Sequence, residues 1–302
     1  MSSSDNMAWN ISNILNWSKH GEQSSFEVLA GQEAHGEKYT ALSAGVTDFS
    51  IPGKPDLSWG AKPETPGSTT SGWNMISYLG QFKYNYGGRY YLSGSLRGDG
   101  NSRFGEDNKY GLFYSVGASW RMTEEQWMPE LSWLNNLKLR LSYGTSGNSS
   151  IGNYASLGLY GSGANYGGYP GIVPIQLNNN EISWEKISSF NIGFESRLFK
   201  RLDLDFEYYE RESDGLLYGK PLSAAKGFGS ITTNLGAMVN KGFETTLNLD
   251  VINRNNFNYT INFNISTNSN KILNLVKDDI KSGTKLLEEG ASLYQFYMRE
   301  WA

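Results

Sequence analysis

No cysteine occurs anywhere in the 302 residues, which excludes disulfide staples, thiolate metal sites and a cysteine nucleophile. Histidine is nearly as scarce. His20 falls in a turn and His35 in a loop, and the two could build a metal centre only with distant carboxylates that nothing in the spacing indicates, so both read as solvated. Long apolar runs are missing too. No window approaches the ~18 consecutive apolar residues of a membrane-spanning helix, and the polar start from Met1 to Asn6 has no signal-peptide core. Lysine and arginine do not gather into a stripe, and the net charge is −4, so nucleic acid is not an expected partner.

What is present is strand and turn chemistry. Aromatics make up 14% of the chain, with 19 Tyr and 9 Trp, beside 35 Gly, while only 38% is hydrophobic and the mean hydropathy is −0.48. Aromatic and β-branched residues suit a half-buried pleated surface, and Gly, Asn and Ser supply the bends.

Period-2 alternation is the main signal. Leu202, Leu204, Phe206 and Tyr208 alternate with Asp203, Asp205 and Glu207. From Phe257 onward, Phe257, Tyr259, Ile261, Phe263 and Ile265 share one side, with Asn, Thr and Ser between them. Similar stretches run over Ile76–Tyr86, Tyr90–Leu96, Leu112–Trp120, Leu137–Tyr143, Phe190–Leu198 and Phe243–Val251, with two weaker ones over Trp9–Trp17 and Phe26–Ala30. That is about ten strands of roughly 8–12 residues, the length that crosses a bilayer when tilted.

Connections alternate between short and long. Short ones fall at Lys19–Ser24, Gly87-Gly88, Phe199–Arg201 and Ile252–Asn256, and long ones at Ala34–Gly72, Asp99–Asn108, Ser146–Glu181 and Glu212–Gly236. One-sided loop length is the habit of outer-membrane barrels, with short periplasmic turns and long extracellular loops. The Thr123–Asn136 connection breaks the pattern, and the capping-box spacing of Thr123 and Gln126 predicts a brief helix holding Trp127 and Leu131. Trp9, Trp17, Tyr84, Tyr86, Tyr90, Trp120, Tyr143 and Tyr208 lie near strand ends, where amphipathic rings favour the headgroup zone. The expected fold is therefore all-β: a portion of a transmembrane, antiparallel, up-and-down β-barrel.

Few segments invite catalytic chemistry. The Asp99–Asp107 loop is rich in acidic residues, but an EF-hand needs an acidic or amide group where Arg103 stands and glycine where Phe104 stands. Gly144-Thr145-Ser146-Gly147 falls short of a nucleophile elbow. The row Asp203, Asp205 and Glu207 lies along one strand face with no sign of the unequal environments that acid–base pairs need. No catalytic, cofactor or metal residue is assigned, and an enzyme is not expected. The polar faces place Arg97, Lys138, Arg140, Asp203, Asp205 and Glu244 along a lumen. Tyr160, Tyr166 and Tyr169, spaced by glycines in a flexible loop, could stack on sugar rings, meet a partner or simply pack on neighbours.

The order of motifs carries a resemblance. Arg97-Gly98-Asp99-Gly100-Asn101-Ser102-Arg103-Phe104-Gly105, then Tyr110-Gly111-Leu112-Phe113-Tyr114-Ser115, Trp120 and Glu124-Glu125, is similar to a segment of SusC/RagA-type TonB-dependent transporters. Tyr143–Asn148, Trp184-Glu185, Asn191-Ile192-Gly193, Asn240-Lys241-Gly242-Phe243-Glu244 and Asn268–Ile272 continue it in register. The resemblance implies a Gram-negative outer-membrane importer of an oligomeric nutrient, glycan or peptide, with a SusD-like surface lipoprotein and the TonB complex as partners. It also implies that residues 1–302 are part of a larger barrel, since nothing resembles the plug domain, the TonB box or the closing strands, and the chain stops at Trp301-Ala302. Two alternatives stand beside it: a soluble β-rich binding module or adhesin, and a passive porin.

Overall fold

A computed structural model describes residues 1–51, 53, 56–275, 279–282, 284–293 and 295–298; Trp301-Ala302 lies outside them. Ten strands follow one another in a single antiparallel sheet: β1 Ser2–His20, β2 Ser24–Ser43, β3 Gly67–Tyr86, β4 Tyr90–Asn101, β5 Tyr110–Arg121, β6 Leu134–Asn148, β7 Glu185–Leu198, β8 Leu202–Asp214, β9 Ala237–Arg254 and β10 Phe257–Ser266. Each pairs with its sequence neighbours, and β11, Ser269–Asn274, continues the last strand along β9 past a break at Thr267-Asn268. The sheet is open. Its edges are β1 and the β10/β11 pair.

The alternation sets the register. Phe194 of β7 stands opposite Leu139 on one side and Phe206 on the other, and Leu247 of β9 lies between Leu204 and Phe263. A one-residue slip would turn every apolar side chain to the wrong face, so the pairing is tightly specified. Stacked rings run across the apolar face, with Phe194–Phe206 centroids 5.6 Å apart and Phe206–Phe243 6.2 Å apart. No second layer covers this face among the described residues: Phe243 is 40% exposed, Phe263 51% and Leu15 73%. A two-sheet soluble module would have sealed this face.

Outward apolar stretches run from Trp120 to Tyr110 in β5 and from Leu198 to Phe190 in β7. At ~3.3 Å per residue and a tilt near 45° they span roughly 20–25 Å, the height of a bilayer's hydrocarbon band. Beyond Phe190, Tyr208 and Phe243 the same face turns polar with Lys186, Glu210 and Lys241, and the last two are paired at 2.9 Å. Placing a cation inside the band should therefore be costly. Phe194→Arg is expected to lower folding stability by about 2–4 kcal/mol, measured as a loss of full-length protein folded into lipid vesicles, with the polar-face variant Asn191→Arg close to neutral.

The short-turn end matches the sequence closely. Gly87 and Gly88 take positive φ values of 61° and 66°, which lets the chain reverse at once between β3 and β4. Phe199 and Lys200 make the β7–β8 turn with the same sign of φ, held by hydrogen bonds from Phe199 N to the Trp133 carbonyl and from Lys200 N to Asn135 Oδ1. The expected helix after Thr123 does not form. Only a single 3-10 turn, Met122–Glu124, is present. Thr123 Oγ1 accepts a hydrogen bond from Leu137 N instead of capping a helix. Glu125 accepts from the Tyr90 hydroxyl and from Trp120 Nε1, with Arg89 3.5 Å away, and those contacts hold its carboxyl below the ordinary range. Side-chain bonds between strands thus outcompete a helix of one or two turns, whose nucleation is unfavourable.

The long-loop end departs further from expectation. The strands overrun their sequence signals, so that β2 extends to Ser43 and β3 begins at Gly67, within the stretch expected to be loop. Within the long connections sit hairpins: Val46–Phe49 with Gly60–Pro63, Leu159–Tyr166 with Tyr169–Gln176, and Leu217–Pro221 with Ser230–Asn234.

Candidate functional site

The polar face is concave. A hollow of about 550 Å³ is lined by residues of seven successive strands, including Glu27, Lys83, Tyr91, Arg140, Asn191 and Glu207. Lys138 and Arg140 alternate with Leu137, Leu139 and Leu141, so strand pleating alone aims their charges to the polar face, and Arg140 lines the hollow.

Arg140 is the centre of charge on this face. Its guanidinium meets Glu195 at 2.9 Å, Asp205 at 2.6 Å and Glu207 at 3.4 Å, and Lys138 adds 3.7 Å to Glu195. Asp203 pairs with Arg197 at 3.7 Å. Glu244 stands directly opposite Glu207 in register, a like-charge neighbour beside the same cluster. Arg97 is held elsewhere on the face, 2.7 Å from Asp99 and 3.1 Å from Glu33, with Ser77 Oγ at 3.0 Å. Lys138, Arg140, Asp203, Asp205 and Glu244 therefore share one region of the polar face, and Arg97 forms a second one nearer the long loops. Sequence pattern does not single out Glu195, Glu33 or Ser77, although strand parity places all three on the same side.

Above this face the long loops are tied into one body. The Asn101–Gly105 segment folds over the polar side, and its Phe104 is 1% exposed and Ile182 0%, both more enclosed than any apolar side chain of the wall. Trp184 packs on Phe104 (4.9 Å between centroids) and Phe113 (5.5 Å), and its ring N–H donates to the Lys109 carbonyl. Gly105 admits no side chain, since a Cβ there would collide with the Asn180 carbonyl. Gly105 N donates to the Ile182 carbonyl, and Ser156 Oγ to the Phe104 carbonyl.

Arg103 connects this body to the wall. Its guanidinium lies 4.1 Å over the ring of Trp73 and donates to Asn153 Oδ1 at 2.8 Å, while Trp73 donates to Glu37 at 3.0 Å. Burial lowers the pKa of Arg103, with Glu37 working against that trend, and a guanidinium stays charged regardless. The acidic loop that lacks the calcium pattern thus serves the architecture, packing a small core and stacking a cation on an indole.

Tyr160, Tyr166 and Tyr169 sit on the Leu159–Gln176 hairpin, which turns at Gly167 and Gly168 with φ of 59° and 91°. The flexible loop expected there is an ordered two-stranded arm, and its rings are bare: Tyr166 is 88% exposed. Among the described residues no cluster of histidine, cysteine or carboxylate groups is shaped to hold a metal.

An open, single-layer antiparallel sheet with a bare apolar band, a charged concave face and loops massed at one rim defines the wall of an outer-membrane β-barrel. The chain matches the family of TonB dependent receptor-like β-barrels over residues 3–288, and it belongs to that family, as a protein of SusC/RagA type located in the outer membrane. TonB-dependent receptor P39 of Formosa agariphila is 36% identical over 235 residues, 77% of this chain and 23% of that protein. TonB-dependent receptor SusC of Bacteroides thetaiotaomicron is 31% identical over 227 residues, 70% of this chain and 22% of that one. A solved structure of the RagAB peptide transporter superposes with a TM-score of 0.93 at 26% identity, covering 100% of this chain and 34% of its own. The chain spans less than a third of the length of the curated relatives it matches.

Proposed function

We propose that this chain is a wall segment of an active importer that carries an oligomeric nutrient, peptide or glycan, across the outer membrane. In this reading the concave face with Arg97, Lys138, Arg140, Asp203, Asp205 and Glu244 lines the lumen, and the rim hairpin with Tyr160, Tyr166 and Tyr169 meets cargo or a SusD-like lipoprotein lid. Energy comes from the inner membrane through a TonB complex acting on a part of the protein outside residues 1–302.

The observation that carries the reading is the pairing of a bare apolar band with a face too crowded with charge to face anything but water or a polar partner. Peptide has support in the named likeness to a peptide transporter, and glycan in the ring-bearing arm, whose phenol planes suit sugar faces.

Uptake of fluorescein-labelled casein peptides and of labelled starch oligosaccharides by cells carrying the full-length protein is the test. Import of one of them should stop when a protonophore collapses the inner-membrane gradient. Import that persists after collapse would make the protein a passive pore and overturn the reading.

A further inference from the structure

The bare tyrosine arm is not free to wave, because its base is bolted to the wall by side chains far away in sequence. Gln176, the last residue of the arm, inserts its amide into the preceding loop, where Nε2 donates to the carbonyls of Tyr154 at 2.9 Å, Ala155 at 3.4 Å and Leu157 at 2.8 Å. That loop is itself fixed to the wall at two adjacent residues. Asn153 Nδ2 donates to Ser71 Oγ at 2.6 Å, and the Tyr154 hydroxyl accepts from Gly72 N at 3.1 Å, both on β3. Arg103 closes the chain of contacts by donating to Asn153 from its seat on Trp73. Tyr154 adopts a φ of 64°, a conformation disfavoured for a side chain of its size, so the surrounding bonds must overrule its local preference.

An arm held this firmly while leaving its own rings solvated is arranged for contact with something outside the chain. We propose that Arg103 and Gln176 are positioning residues that mount the Leu159–Gln176 arm in a fixed pose on the loop end of β3, so that its tyrosines meet cargo already ordered. The second half of this inference rests on the import reading above; the first half does not. A pre-ordered arm avoids the entropy of freezing a loop on binding, and its benefit shows in affinity and not in the rate of the transport step.

The test uses the full-length protein in outer membranes, with a nitroxide at Ser162→Cys on the arm, a position that faces no competing thiol from this chain. The parent should give the broad spectrum of an immobilised label, and Gln176→Ala and Arg103→Ala should each give sharp, mobile lines. Arg103→Lys, which keeps the charge over Trp73 but loses the Nε bond to Asn153, should fall between. For the cargo half, Gln176→Ala should raise the half-saturating concentration of the labelled peptide or starch oligosaccharide about tenfold with the maximal rate unchanged.

Unchanged spectra in both alanine variants would overturn the mount. A mobile arm with unaltered half-saturation would overturn its role in cargo contact. If the parent takes up neither probe, the import reading falls and the cargo half with it, while the spectra still decide the mount.

Discussion

Phe104→Ala is expected to open the loop rim while leaving the wall folded. The ring is almost wholly enclosed and packs on Trp184, and truncating an enclosed phenylalanine costs about 3–5 kcal/mol in lost burial and residual cavity. Phe104 and Ile182 are the most enclosed apolar side chains among the described residues, so a loss of that size weighs heavily on the loop body that holds them. The strands draw their stability from backbone ladders and lipid contact, which Phe104 does not touch. Hydrogen exchange on the full-length protein in detergent should therefore accelerate across residues 149–184 and leave the β6–β8 amides protected. Uniform protection throughout would show that the loops do not depend on this core.

Arg140→Ala carries the second large effect. It would leave Glu195, Asp205 and Glu207 converging with only Lys138 to offset them. Fully buried, such a loss would cost more, but these side chains are between a third and a half exposed, and water screens the repulsion to about 1–3 kcal/mol. Arg140→Met should cost nearly as much as alanine, because charge and not bulk is what is missing. Adding Glu207→Gln to Arg140→Ala should recover part of the loss. The comparison is made by denaturant midpoints of the full-length protein in detergent. Additive single effects with no recovery in the double variant would mean the cluster is not coupled.

How much of the fold and site is legible in the sequence follows the range of the forces involved. Period-2 alternation acts within a strand, so it delimits Phe257–Ser266 to its ends and places β8 from Leu202 onward. Strands such as β2 run well past their pattern, because beyond Ala30 the ladder is carried by backbone pairing to β1 and β3, to which Gly31, Gly36 and Thr40 contribute no pattern of their own. On the polar face, parity alone finds Lys138, Arg140, Asp203 and Asp205, but not that a single guanidinium gathers three carboxylates from two neighbouring strands. The rim lock is out of reach for a different reason. Arg103 meets Asn153 and Trp73, and Phe104 meets Trp184, across separations that no local pattern encodes. Its one trace in the sequence is the unusual Arg97–Gly105 string, which carries the family resemblance without disclosing what its side chains hold together.

The strands also end at very different heights. β3 continues from Met75 to Gly67 after its pairing with β4 has stopped at Asn101, roughly eight residues further, or on the order of 20 Å along a tilted wall. Its bare flank is met in places by borrowed groups, Ser102 bonding Asn74 twice and the Tyr154 hydroxyl taking Gly72 N. The edge of this sheet is in this way cut like a scoop, high along β1–β3 and low over β4–β5, and the low side is where the loop body around Phe104 and Trp184 sits.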